Sequence, residues 1–160
     1  MLTSELLKEI ELKYRQTGAL YLKALDSTNK MLTVLNEENF AELQTLVNER
    51  ETYLYSAEKI LAETQKIKTE FCQKNKIAKF EKSEILKFSP EMAESIETER
   101  LKLVKSIGEI QKTQAGIEKK FDSIKDDIKK KVNNVTVTKK IHDAYNKSKI
   151  NRPVNLMLLF

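Results

Sequence analysis

Apolar residues recur at steps of three and four over three long stretches of this chain, the spacing of a helix that buries one face. The first stretch starts after Thr3 or Ser4 and predicts a helix over about residues 4–35. Leu6, Ile10, Tyr14, Tyr21, Ala24, Met31 and Leu35 lie on its stripe, with Thr17 and Thr28 as small polar breaks. At 1.5 Å per residue such a helix is roughly 50 Å long. The second stretch begins at Phe40 and presents Leu43, Val47, Leu54, Ala57 and Leu61; continued through Ile67 to Phe71, it predicts a helix over about 40–73. From residue 74 to 88 the pattern loosens, and Ile77, Phe80, Ile85, Leu86 and Phe88 fit a short helix or an apolar-anchored connector.

Ser89-Pro90-Glu91 then restarts a helix, with Ser at the cap, Pro in the first helical position and an acid in the first turn. The third stretch, about 90–132, has the cleanest period. Leu103, Ile107, Ile110, Gln114, Ile117, Phe121, Ile124 and Ile128 alternate steps of four and three, a coiled-coil seam in which the polar Gln114 can set register. Packing of that seam on the first two helices of the same chain is favoured over a homodimeric coiled coil, because three amphipathic helices already satisfy one another. Asn133-Asn134 and Val135-Thr-Val-Thr138 weaken the third helix. Thr138 can cap a short further helix holding Ile141, Ala144 and Tyr145. The expected architecture is all-α: a long antiparallel hairpin plus a third long helix over residues 1–132, and a C-terminal segment over 133–160.

Between the first two stretches lies a tight reversal. Asn36 can end the first helix, since Asn tolerates the left-handed conformation. Asn39 can cap the second, and Glu42 three residues later completes a capping box. A connection this short makes the two helices antiparallel neighbours.

Composition narrows the function classes. Three Gly and two Pro in 160 residues are too few for a turn-rich β or α/β fold. Cys72 stands alone, which excludes an intrachain disulfide and a thiolate metal cluster. The N-terminus lacks the basic and uninterrupted apolar regions of a signal peptide, and no apolar run is long enough for a bilayer, so a cytoplasmic protein is expected. The net charge of +5 is uneven. From Ile128 onward eight Lys and Arg stand against Asp143, giving +7 and leaving −2 for everything before.

No constellation in the chain points to catalysis. His142 and Cys72 are far apart in sequence, the three glycines are isolated, and the many carboxylates read as solvated helix surface. No enzyme activity, cofactor or metal is expected. The 25 Lys against four Arg, without aromatic interleaving, argue against sequence-specific nucleic-acid binding. The end of the chain draws more interest. Leu156, Met157, Leu158, Leu159 and Phe160 form an apolar run where termini are usually polar. Such a run docks on the chain's own bundle or binds a partner; a membrane surface, which its basic flank also suits, is a less favoured third option.

The residues Leu35, Glu37, Glu38, Asn39, Phe40, Leu43, Leu46, Glu49, Arg50 and Glu51 resemble the reversal of the flagellar type III export chaperones, the FlgN/FliT-like proteins. The lysine-rich run Phe121–Lys131 followed by Ala144-Tyr145 is similar to their C-terminal half. The resemblance implies binding without catalysis. Such a protein holds a filament cap or hook–filament junction protein in the cytoplasm and delivers it to a component of the export gate. It implies a monomer or weak homodimer, and partner binding through Ile141, Tyr145 and the Leu156–Phe160 cluster. The competing class is a structural coiled-coil or scaffold protein.

Overall fold

The computed structural model describes residues 2–131. They form α1 (Thr3–Asn36), α2 (Phe40–Asn75), the single turn α3 (Lys82–Ile85) and α4 (Pro90–Lys131). The fold is all-α, and α1, α2 and α4 pack together on their apolar seams. The seam of α4 is buried within one chain: Leu103, Ile107, Ile110, Ile117 and Phe121 are each fully covered.

The reversal after α1 is built differently from its expected form. Asn36 stays helical, and the left-handed residue is Glu38, with φ of 57°. The Glu38 N–H donates to the Leu35 carbonyl at 3.1 Å, and the Asn39 N–H donates to the Val34 carbonyl at 2.9 Å. This pair of bonds is a Schellman closure, which satisfies two carbonyls the helix end would otherwise leave open. It also modifies the capping box. The Asn39 side chain accepts from the Glu42 N–H at 3.3 Å as expected, but Glu42 returns its carboxylate to the Asn39 side-chain amide at 2.9 Å. The Asn39 backbone N–H is already committed to Val34. A second Schellman closure ends α2 at Asn75, four residues from Phe71. Lys76 has φ of 55°, and Lys76 and Ile77 donate to Gln73 and Cys72. At the head of α4, the Ser89 hydroxyl accepts from the Met92 N–H at 3.2 Å, so the predicted cap is present.

The seam of α2 also departs from its expected course. The stripe does not continue through Ile67, which is half-buried; it runs through Thr64, Lys68 and Phe71, all buried. Leu43, Val47, Arg50, Leu54, Ala57, Leu61, Thr64, Lys68 and Phe71 alternate four and three without interruption. Threonines fit such positions because their hydroxyls bond the preceding turn: Thr17 to the Lys13 carbonyl, Thr28 to Ala24 and Thr64 to Ile60, at 2.7–2.8 Å.

The described residues divide into two compact units, and each long helix gives a segment to both. The first unit comprises residues 2–22 and 55–107. Its core includes Leu6, Ile10, Tyr14, Phe71, Ile96 and Leu103, with Ile85 of α3 pressed into it. Thr3 of α1 donates to the Asn75 side chain at 3.2 Å, and Lys13 pairs with Glu63 at 2.9 Å. The second unit comprises residues 23–54 and 108–131. There Met31, Leu35, Leu43, Val47, Ile117 and Phe121 form a continuous apolar cluster, flanked by Leu32, Phe40 and Ile128.

Candidate functional site

Each unit carries polar side chains at seam positions, and these are chemically notable among the described residues. In the second unit they are Thr28, Arg50 and Gln114. Arg50 is 1% exposed although it carries a permanent charge. Its Nε donates to Thr28 Oγ1 at 3.1 Å, and its Nη2 donates to Gln114 Oε1 at 2.6 Å. Thr28 uses its own proton on the Ala24 carbonyl, so one hydroxyl both donates and accepts. Gln114 passes its amide on to Glu118 at 3.4 Å. Beside the layer, Ser27 donates to Glu49 at 3.1 Å. One residue from each long helix is therefore locked to a specific partner. That arrangement fixes helix register, the best-attested use of a buried polar layer.

In the first unit the corresponding positions hold Tyr14 of α1, Lys68 of α2 and Arg100 of α4. This layer opens into a groove of about 1040 Å³, walled by the last turns of α2, the connector after it, and the first turns of α4. Phe71 is fully buried. It meets Phe80 and Phe88 edge-on, with centroids 5.4 and 5.5 Å away and interplanar angles of 83° and 77°. The connector from 76 to 89 is thereby held by apolar anchors around the one-turn α3, combining both forms the sequence allowed.

Lys68 is 5% exposed, and its ammonium lies 5.7 Å from the centre of the Tyr14 ring and 5.5 Å from that of Phe80. Both distances suit a cation–π contact. Among the described residues no carboxylate pairs with it. Burial pushes the Lys68 pKa down, and the neighbouring Arg100 charge pushes it the same way. Arg100 grips Glu97 through two bonds, Nε to Oε2 at 2.9 Å and Nη2 to Oε1 at 2.8 Å. That hydrogen bonding holds the Glu97 carboxyl below its ordinary value and raises Arg100. Burial raises the Tyr14 phenol to about 12, and burial likewise raises the Cys72 thiol, with Lys68 acting against it. Cys72 is thus held as the less reactive thiol at neutral pH.

The rim of the groove is basic. Lys76, Lys79 and Lys82 join Lys68 and Arg100, against Glu81 and Glu97. Lys82 is paired with Glu94 at 2.7 Å. Its apolar lining comes from Ile77, Phe80, Ile85 and Ile96. The arrangement presents cations beside an apolar surface, the chemistry of a binding groove.

The residues that the sequence nominated for partner binding, Ile141, Tyr145, Leu156, Met157, Leu158, Leu159 and Phe160, lie outside the described residues, as does His142. Lys68 and Arg100 were missed because Lys and Arg on a helix read as solvated. The available signal was the period: both fall on the uninterrupted four–three alternation of their helices. Among the described residues no group of three potential metal ligands occurs, and no helix is long and apolar enough to cross a membrane. No family model, curated protein or solved structure matches this chain.

Proposed function

We propose that this chain is a cytoplasmic flagellar export chaperone, which binds the helical terminus of a filament cap or hook–filament junction protein and delivers it to the export gate. Its work is binding without a catalytic step. The observation that carries the reading is the hairpin of α1 and α2, of 34 and 36 residues, closed at Glu37–Asn39. Around it lie the residues on which the resemblance rests: Leu35 and Leu43 are in the core, Asn39 caps α2, and Arg50 anchors the buried layer. A helical hairpin with register locked by Arg50 suits a protein that offers an apolar groove to an amphipathic helix. The C-terminal residues Ile141, Tyr145 and Leu156–Phe160 are assigned a share of that contact.

Co-expression with tagged cap and hook–filament junction proteins, followed by size exclusion with light scattering, tests the proposal. A one-to-one complex with one of them is expected, from a free chain that is a monomer or weak dimer. Removal of the residues after Asn133 is expected to weaken the complex. A stable homo-oligomer that captures none of these substrates would instead identify a structural coiled-coil or scaffold protein.

A further inference from the structure

The groove of the first unit combines three features that a merely structural layer does not need. A buried ammonium, Lys68, faces two aromatic rings with no carboxylate partner among the described residues. A second cation, Arg100, lines the same groove with two of its N–H groups on Glu97. Beside both runs an apolar surface of Ile77, Phe80, Ile85 and Ile96. Burying a charge without a counter-charge is unfavourable, and it becomes favourable when a ligand brings the missing anion. The Arg50 layer shows the alternative within the same chain, where the cation is bonded to Thr28 and Gln114 at seam positions.

We infer that this groove is a docking site for an acidic amphipathic helix, one of whose carboxylates pairs with Lys68 and Arg100 while its apolar side chains seat on Ile77, Phe80 and Ile96. The charge balance selects the partner: with Arg100 bonded to Glu97 and Lys82 to Glu94, the basic surplus of the lining rests on Lys68, Lys76 and Lys79, against Glu81. The apolar surface selects a peptide over a bare anion, since inorganic phosphate has nothing to bury there. The volume, about 1040 Å³, is at the upper end for ligand pockets and accepts several side chains. Lys76 and Lys79 extend the positive rim, on exposed backbone where they steer an acidic chain toward the groove. The residues named for it are other than the C-terminal residues assigned above. It deepens the binding reading by naming the chemistry of what is held, and rests on it in that respect alone.

The test uses the full chain and a fluorescein-labelled synthetic amphipathic helix with a Leu/Ile stripe flanked by Glu, read by fluorescence anisotropy. Saturable binding is expected. It should weaken roughly tenfold or more when the peptide's Glu residues become Gln, and by a similar factor in Lys68→Gln or Arg100→Gln, as for loss of a charge-assisted bond. The combined change should be less than multiplicative, because both remove the same pair. Circular dichroism checks the fold of each variant. The exposed Lys76→Glu/Lys79→Glu pair, which leaves the core untouched, should also weaken binding. Equal affinity for the Glu and Gln peptides, or variants that bind as the wild type does, would overturn the site. So would anionic phospholipid vesicles or single-stranded DNA that bind through Lys68 in place of the peptide. Parallel capture of the flagellar substrates separates the two readings. If substrates are captured while the acidic probe fails, the groove assignment is wrong and the chaperone survives. If the probe binds and no flagellar substrate does, the site stands and the chaperone reading falls.

Discussion

The two units solve the same problem in opposite ways. Each places a cation from α2 on the seam, Arg50 in one and Lys68 in the other, and each surrounds it with residues of α1 and α4. Arg50 is closed in and hydrogen-bonded to Thr28 and Gln114. Lys68 faces the rings of Tyr14 and Phe80, with no carboxylate partner among the described residues, and lies at a groove. The planar, five-donor guanidinium suits a fixed lattice of acceptors, while a single ammonium on a flexible stem suits an aromatic cradle. The lesson is that a buried charge has a structural or a recognition role according to whether its acceptors are already in place.

Removing the closed cation is the strongest way to break the comparison. Arg50→Ala leaves the acceptors of Thr28 and Gln114 without their donor and opens a cavity, so a loss of about 3–5 kcal/mol is expected in urea unfolding. A loss under about 1 kcal/mol would place Arg50 with Lys68 as a dispensable charge.

The open layer is expected to reveal itself through alkaline pH. The Tyr14 phenol ionises near 10 in the unfolded chain and at about 12 in the folded one. Between those values the folded chain holds more protons, so stability falls as pH rises and levels off beyond about 12. The loss over that range is on the order of 3 kcal/mol. Urea midpoints of Tyr14→Phe should therefore show a shallower decline than the wild type over that range. Lys68 acts with the reverse sign, since its lowered pKa makes stability rise with pH between that value and its ordinary 10.5.

Substituting the open cation sharpens the contrast with Arg50. Lys68→Met keeps the volume and removes an unpaired buried charge, so stability is expected to be unchanged or higher by up to about 2 kcal/mol, measured by thermal melting. The smallest effects concern the backbone. Glu38→Gly relieves a left-handed residue and should gain about 1 kcal/mol. Gly108→Ala, with nothing within 4 Å of the added Cβ, should gain about 0.5–1 kcal/mol from helix propensity.

Much of the fold was legible in the sequence because apolar period and capping chemistry agreed. The stripe of α1, the seam of α4, the Ser89 cap and the Asn39 cap all appear in the structure at their expected residues. The reversal was legible as a turn but not in its detail: Asn36 has the side-chain type for a left-handed position, yet the hydrogen-bond ring closes two residues later and puts Glu38 there. The second half of α2 was misplaced for a related reason. Ile67 looks like core by residue type, whereas Lys68 is core by period, and over a long packed helix the period prevails. The groove was hidden because it depends on Phe71, Phe80 and Phe88 meeting across the connector, a contact that no local pattern encodes.

Gly108 has one further consequence. It sits inside the 42-residue α4 and is the first residue of that helix assigned to the second unit. A glycine there, with nothing within 4 Å of the place its Cβ would take, weakens α4 locally relative to alanine. Each side has its own apolar cluster and its own polar layer, so deuterium uptake along α4 should resolve two protection plateaus separated at Gly108. A single unbroken helix would then behave as two independently breathing segments.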